Sequence, residues 1–318
     1  MTKPDSRKIA EIAGETGFLP DTVEKVLRLT SILAEIQSHP LLQNKFALKG
    51  GTAIHLFHLS GRRLSVDLDL NYVGSVGREE TLALRPRVEE AMQRLLTSLG
   101  YQVRRIPPDH AGGKWQLKYT GHMGQPQVLE LDINYLFRVP IWGIEEKTVS
   151  WPIFQQTQLA FPIVHPLELW SGKIVATISR AEPRDLFDLG YMPQSIRKSK
   201  NLPRTVTFLG SGTRDDWSTV RLDILDNITS ENLHRRLLPV VRTEEPMHWK
   251  GLVDKARQTL RPLLRFRERE KLYLRLLEKE GKYQPEILFP EKELQTKLQQ
   301  HPLLLWKAQN RREFLRKS

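Results

Sequence analysis

Lys49-Gly50-Gly51-Thr52, a short apolar segment, and then Ser65-Val66-Asp67-Leu68-Asp69-Leu70 form the stretch that decides how this chain is read. Phe46-Ala47-Leu48 has the character of a buried strand end, and the glycine pair makes a tight turn. Ala53 to Leu59 repeats apolar residues at helical spacing (Ile54, Leu56, Phe57), with Gly61 as a helix stop. Leu64 to Val73 alternates or runs apolar, which predicts a strand. Residues two apart on a strand share a face, so Asp67 and Asp69 point one way and Val66, Leu68 and Leu70 the other.

Two carboxylates side by side repel each other, so a strand gains nothing structural from the pair; a divalent cation between them gives it a purpose. A glycine pair opening a helix brings backbone N–H groups close to an anion. Phosphate, Mg²⁺ and two carboxylates are the components of metal-assisted phosphoryl or nucleotidyl transfer. Either half alone reads as an ordinary turn or a solvated strand face. The two halves joined by one short helix favour the chemical reading.

Working outward, Asp21 with Glu24 three residues on predicts a capped helix over 21–38, with Val23, Val26, Leu27, Leu29, Leu33 and Ile36 as its apolar stripe. A second amphipathic helix is expected from Arg85 or Pro86 to Leu99, ended by Gly100, then a strand over 101–106 and a loop over 107–113. Strands are expected over 115–119 and 128–137. In the second of these Glu130, Asp132 and Asn134 share a face, and Asp132 becomes a third carboxylate if that strand lies beside Asp67. The stretch from Trp151 to Pro162 reads as strand and loop.

His165-Pro166 opens a helix running to Arg180, with Lys173 among its apolar residues. Glu182-Pro183 breaks it, and the next helix sets Asp185 and Asp188 near one face. A lysine on an apolar helix face needs an anionic partner: Asp67, Asp188 or a bound triphosphate. Ser199 to Thr213, with Pro203, Gly210 and Gly212, reads as a connection or insertion. Helices are expected over 222–238, 252–280 and 291–299, with another beyond His301. His-Pro-Leu at His39, His165 and His301 reads as a set of helix starts or turns rather than a metal site.

The chain has 318 residues, no cysteine and a formal net charge of +12. The length suits two domains, and the absence of cysteine excludes disulfides, thiolate metal sites and cysteine nucleophiles and suits a reducing cytosol. No apolar run reaches the length of a membrane span, and Met1 to Ala10 lacks the apolar core of a signal peptide. The positive excess calls for a polyanionic partner, most simply nucleic acid. Residues 242–318 hold 19 Lys and Arg against 11 Asp and Glu. Arg257, Arg261 and Arg265 recur every four residues, which predicts a ridge on one helix face, and Arg311 with Arg312 adds a second cluster.

Gly50-Gly51-Thr52, fourteen residues, then Asp67-Leu68-Asp69 resembles the first motif of the DNA polymerase β-like nucleotidyltransferase superfamily. The later set Lys173, Arg180, Arg184-Asp185 and Asp188 narrows the resemblance to the AbiEii/AbiGii (MenT-like) toxin nucleotidyltransferases of type IV toxin–antitoxin and phage-defence systems. It spans roughly residues 33–191; the tail after Leu202 is similar only in being helical and basic. The resemblance implies an α+β chain: a nucleotidyltransferase domain of mixed sheet and helices over 1–165, then a mainly α-helical domain over 166–318, the two forming a cleft. It implies that Lys49, Gly50, Gly51, Thr52, Ser65, Arg184 and Asp185 hold the nucleotide, that Lys173 contacts the phosphates, and that Asp67, Asp69 and Asp188 are catalytic. The superfamily's geometry makes Asp132 a metal ligand beside Asp67 and Asp69, so the third acid is either Asp132 or Asp188. Ser65 matches a hydroxyl that an antitoxin kinase modifies in some relatives.

The implied reaction moves a nucleoside monophosphate from an NTP to an RNA acceptor, tRNA first, with two Mg²⁺ ions, which blocks translation. The implied setting is cytoplasmic, with an antitoxin encoded nearby. Three rivals remain at this point: transfer to protein hydroxyls, an inactive RNA-binding relative, and a glycosyltransferase with an Asp-x-Asp metal site.

Overall fold

The computed structural model of the chain describes residues 5–59, 61–106, 112–149, 159–243 and 249–317. The chain forms two compact units: Met1–Arg138 with Ile144–Val164 and His234–Met247, and Val139–Gly143 with His165–Leu233 and His248–Ser318.

In chain order the first unit contains α1 (Ser6–Thr16), α2 (Pro20–Ser38), β1 (Phe46–Lys49), α3 (Gly50–Phe57), β2 (Asp67–Tyr72), α4 (Arg78–Ser98), β3 (Gln102–Ile106), β4 (Gly112–Thr120), β5 (Pro126–Asn134), β6 (Ile144–Thr148) and β7 (Ala160–Val164). The seven strands make one mixed sheet in the order β3-β4-β5-β2-β1-β7-β6. β2 runs antiparallel to β1 and parallel to β5. The parity expected for β2 holds: Leu68 and Leu70 are fully buried, while Asp67 and Asp69 are half-buried. Trp115, Leu117 and Tyr119 alternate on β4 in the same way. α2 buries Val23, Val26, Leu29, Ile32, Leu33 and Ile36, which makes it a main source of the core.

Several boundaries differ from the sequence reading. Leu19, not Asp21, caps α2, because Pro20 takes the first helical position. Glu24 is fully buried: it pairs with Arg28 at 2.8 Å and accepts the His122 backbone N–H at 2.8 Å. α4 starts at Arg78 and carries Pro86 inside it, since Glu79 and Glu80 in the first turn and Thr81, bonded back to Gly77, already start the helix. β5 stops at Asn134, whose side chain accepts from the N–H groups of Leu136 and Phe137 and turns the chain. The loop expected over 107–113 lies outside the described residues except for Gly112 and Gly113, which open β4. Residues 151–158 of the expected strand and loop also lie outside them.

The second unit contains α5 (Pro166–Arg180), α6 (Pro183–Gly190), α7 (Gln194–Arg197), α8 (Leu202–Ser211), α9 (Ser230–Arg236, which hands the chain back to the first unit), α10 (Trp249–Leu260), α11 (Glu268–Glu280), α12 (Lys292–Leu298) and α13 (Pro302–Lys317). The stretch 199–213 is therefore mostly helix, not a connection. Gly210 is needed because a Cβ there would collide with the Trp217 ring, which lies across α8. The expected helix over 222–238 is broken into 3₁₀ turns and the short α9. The expected long helix over 252–280 is two helices: Pro262 ends the first in a 3₁₀ turn, and the Arg267 N–H bonded to Glu270 starts the second. On this second helix Leu272 is 39% exposed, whereas Tyr273, Leu274 and Leu277 are buried. Phe208 lies at the centre of this unit, edge-on to Phe289 and His301 with ring centroids 5.4 and 5.2 Å away. Each His-Pro-Leu sits at a helix end; the His165 side chain accepts the Leu167 N–H and caps α5. Among the described residues no helix is long and apolar enough to cross a membrane.

Charge also holds this helical unit together. Lys173 of α5 is 6% exposed and lies 2.7 Å from Asp185 and 2.9 Å from Asp188, both on α6. Burial raises the Asp185 carboxyl, but Lys173 and Arg180 outweigh it and hold the group well below the ordinary carboxylate range. Glu168, on the same helix, accepts the Trp142 backbone N–H at 3.2 Å and so ties 139–143 to α5. Burial pushes its carboxyl up to about 7 against the pull of the Trp142 and Ile141 N–H groups and Lys297.

Two outcomes follow. Removing one partner of a buried ion pair leaves uncompensated charge, at a cost of about 3–5 kcal/mol. Lys173→Met is therefore expected to lower the thermal midpoint by roughly 10 °C, read by circular dichroism; an unchanged midpoint would refute the clamp. For Glu168 the folded value lies above the unfolded one, so the folded state binds the extra proton and stability falls as pH rises from about 4.5 toward 7. Glu168→Gln should remove that slope and be more stable than the parent at about pH 8, as urea unfolding at about pH 5 and about pH 8 will show.

Candidate active site

The turn from β1 into α3 is built around two missing side chains. Gly50 has φ +70°, a left-handed conformation that favours glycine, and a Cβ there would collide with Oδ2 of Asp69. A Cβ on Gly51 would sit 2.9 Å from Ser65 Oγ and 3.0 Å from an Arg63 nitrogen. The N-terminus of α3, whose first N–H groups have no partner within the helix, thus lies directly against Asp69 and Ser65. Two bonds from the same helix fix the strand's approach: the Thr52 hydroxyl donates to the Asp67 carbonyl, and the Ser65 N–H donates to Nδ1 of buried His55 at 3.2 Å. Arg63, 1% exposed, donates to the Leu64 carbonyl at 2.7 Å, and the Leu64 N–H donates to Val240 at 2.7 Å.

Strand register then sets out the charges. Lys49 pairs with Asp69, Asp69 with Asp132, and Asp132 with Lys114, so one row crosses the adjacent strands β1, β2, β5 and β4 as cation, acid, acid, cation. Opposed residues point to the same face. One step along, Asp67 is opposite Glu130, and one step the other way Asn71 is opposite Asn134. Burial raises the Asp132 carboxyl; Lys49 and Lys114 pull it down while Asp69 and Glu130 push it up. Lys114 bonds Glu130 at 2.7 Å, and that bond, with the charges of Glu130, Asp132 and Asp67, raises its ammonium above the ordinary lysine value against some desolvation. Asn71 is 3% exposed, and among the described residues its side-chain oxygen finds no hydrogen-bond partner.

These residues fit a hard divalent cation by donor chemistry, since Asp67, Asp69 and Asp132 offer carboxylate oxygens from adjacent strands of one face. As a trio they are not drawn to within 4.8 Å of one another. Among the described residues Asp21, Glu24 and His122 are the group that meets that spacing. Hydrogen bonds account for that group: Glu24 holds Arg28 and the β4–β5 turn, and Asp21 accepts from Gln125 and Gln127.

Of the residues singled out in the sequence, Lys49, Gly50, Gly51, Thr52, Ser65, Asp67, Asp69 and Asp132 come together in the first unit. Lys173, Asp185 and Asp188 gather in the second, with Arg184 half-buried on the same α6 turn. The arginine ridge does not form. Arg257 is on α10 and pairs with Asp226, whereas Arg261 lies in the 3₁₀ turn and Arg265 caps it. Arg312 donates to the Gly281 carbonyl, and Arg311 stacks on Phe314. The sequence reading missed His55, Arg63 and Lys114. His55 sits one helical turn after Gly51, and Lys114 shares the β4 parity of Gln116; neither spacing names its partner without the register.

The family described as "Nucleotidyl transferase AbiEii toxin, Type IV TA system" matches residues 31–273. No curated protein matches the chain. Among solved structures it is similar to MenT4, the nucleotidyltransferase toxin Rv2826c from Mycobacterium tuberculosis H37Rv, with a TM-score of 0.60 and 16% identity over 94% of this chain and 98% of that one. At that identity the likeness concerns the fold. The family match covers most of the chain and includes both the glycine turn and the acidic strand, so the chain belongs to the AbiEii nucleotidyltransferase toxins of type IV toxin–antitoxin systems.

Proposed function

We propose that this toxin transfers a nucleoside monophosphate from an NTP to an RNA acceptor, tRNA first, and so blocks translation until its antitoxin intervenes. One observation carries the reading: Asp67, Asp69 and Asp132 share a sheet face against the side-chain-free N-terminus of α3. The net charge of +12 favours RNA over a protein acceptor.

Asp67, Asp69 and Asp132 would hold Mg²⁺, which when bound neutralises phosphate charge and lowers the pKa of the attacking hydroxyl. The chain's own residues do the rest. Gly50 and Gly51 let the triphosphate approach the α3 N–H groups, whose dipole favours anions. Thr52 and His55 keep Ser65 to Asp67 at a fixed distance from that helix end. Lys49 and Lys114 flank the acids and limit their mutual repulsion before substrate arrives. We also propose that Lys173 contacts the phosphates, with Arg184 and Asp185 beside it, and that Asp188 acts in the same reaction. Because Lys173 also clamps α6, the informative variant is Lys173→Arg: lost transfer with an unchanged thermal midpoint supports phosphate contact.

The test incubates the protein with each labelled NTP, Mg²⁺ and total cellular RNA, and resolves the products on a gel. Labelled RNA is expected in the tRNA size range, and chelation of Mg²⁺ should abolish it. Asp67→Ala and Asp69→Ala should each lower transfer at least about 10²-fold without lowering the thermal midpoint, because each relieves repulsion on the sheet face. Label on protein instead of RNA, or full activity in both variants, would overturn the reading.

A further inference from the structure

The sheet face that holds the acids continues past them, and there it is open. Strand register sets Lys118 beside Gln102 and Val128, Gln116 beside Arg104 and Glu130, and Lys114 beside Asp132. These side chains therefore share the face of Asp69. Gln102, Arg104, Lys114, Lys118 and Val128 are exposed, and Gln116 is half-buried. The opposite parity is the covered side, where Trp115, Leu117, Leu129 and Leu131 are buried. A sheet packed on one face exposes polar residues on the other, but here the charge is mostly of one sign. Glu130 is bonded to Lys114 at 2.7 Å. Among the described residues Arg104 and Lys118 have no ion-pair partner. Lys114 and Lys118 stand about 13 Å apart along β4, and Arg104 lies between them, about 4.8 Å to the side on β3.

The direction of the reaction decides what crosses this half of the face. The triphosphate end of the site is the N-terminus of α3, which leaves β1 at Gly50 and abuts Asp69. In nucleotidyl transfer the attacking and leaving oxygens lie roughly in line, on opposite sides of the reacting phosphorus. With pyrophosphate leaving toward α3, the acceptor hydroxyl enters from the far side of the acids, where β5 and β4 lie. An apolar partner would meet one aliphatic side chain there, Val128, and a second copy of the same face would set cation against cation. The phosphates of an acceptor strand satisfy all three cations. We propose that the open face of β3, β4 and β5 receives the acceptor RNA, with its phosphates on Arg104, Lys114 and Lys118 and its hydroxyl delivered to the acids from the β5 side. The proposal rests on RNA as the acceptor and adds the surface that holds it and the side from which it enters.

The test titrates fluorescein-labelled unfractionated tRNA with the full chain, by anisotropy at several salt concentrations. Arg104→Gln with Lys118→Gln should weaken binding about tenfold and lower the slope of log affinity against log salt by roughly 1.4–1.8, two phosphate contacts being lost. NTP binding in Ca²⁺ should not change. The same loss of charge on α7, Arg197→Gln with Lys198→Gln, should cost much less. Glu130→Gln frees Lys114 and should tighten RNA binding, a gain that shrinks when Lys114→Gln is also present. Because the chain has no cysteine, Gln102→Cys and Leu82→Cys each give one attachment point for a benzophenone photo-crosslinker. tRNA should be captured from position 102, and not from position 82, which is 52% exposed on α4. That helix packs on the opposite side of the sheet, where Glu89 pairs with Arg105 at 2.6 Å. Unchanged affinity and slope in the Arg104 and Lys118 double variant overturns the proposal, as does equal capture from the two positions. An equal loss in the α7 variant also overturns it, because bulk charge is then the cause. Failure of the unaltered protein to label any RNA, with capture intact, counts against the transfer reading alone; labelled RNA with unaltered binding by the double variant counts against the surface alone.

Discussion

The structure of the first unit depends on the space between Gly50 and Asp69. The carboxylate occupies the volume a Cβ would take, and the backbone there has φ +70°. Any other residue would both strain the turn and push β2 away from α3. α3 cannot retreat to make room, because Thr52, Ala53, Ile54, His55 and Leu56 are all buried. The helix is therefore held by its core side while its N-terminus is pressed against an acid. That contact sets the position of Asp69, and register carries it across the sheet to Asp132 and Lys114.

The second unit uses charge differently. Lys173 with Asp185 and Asp188 lies where hydrophobic packing would stabilise as well or better. What the trio supplies is uniqueness: sliding α5 past α6 by one turn would leave charges buried without partners. Phe208 and its aromatic neighbours provide the bulk of the packing, and the ion cluster sets its registration.

What was legible in the sequence follows from the range of the interactions. The parity of β2 and the glycine turn are local, so period and residue type revealed them. Asp132 was legible as a face but not as a neighbour of Asp69, because a parallel pair closed over α4, β3 and β4 leaves no local trace. Asp21 and Glu24 have the spacing of a helix cap, yet Glu24 is committed to Arg28 and to His122 far along the chain. Leucines recur across Pro262, so apolar period joined two helices that the proline separates, and the arginine ridge fell with that join. In α8 the glycines suggested a loop, whereas Gly210 is there to admit Trp217. His55 and Lys114 acquire meaning only through partners that the fold brings to them.

The strap over Arg63 and Leu64 has a bearing on how such a protein is made. Leu64 bonds Val240, Arg63 bridges Val241, Thr22 donates to Pro239 and Thr243 to Gly17, so residues 239–243 finish the wall behind the glycine turn. Chains emerge from the ribosome from the N-terminus onward, and domains settle as their last pieces arrive. The segment that leads into Asp67 stays without its backing until about three-quarters of the polypeptide has been synthesised. A nascent or prematurely terminated chain therefore lacks the finished wall behind the glycine turn, and the approach of β2 to α3 is completed only once residues 239–243 are in place.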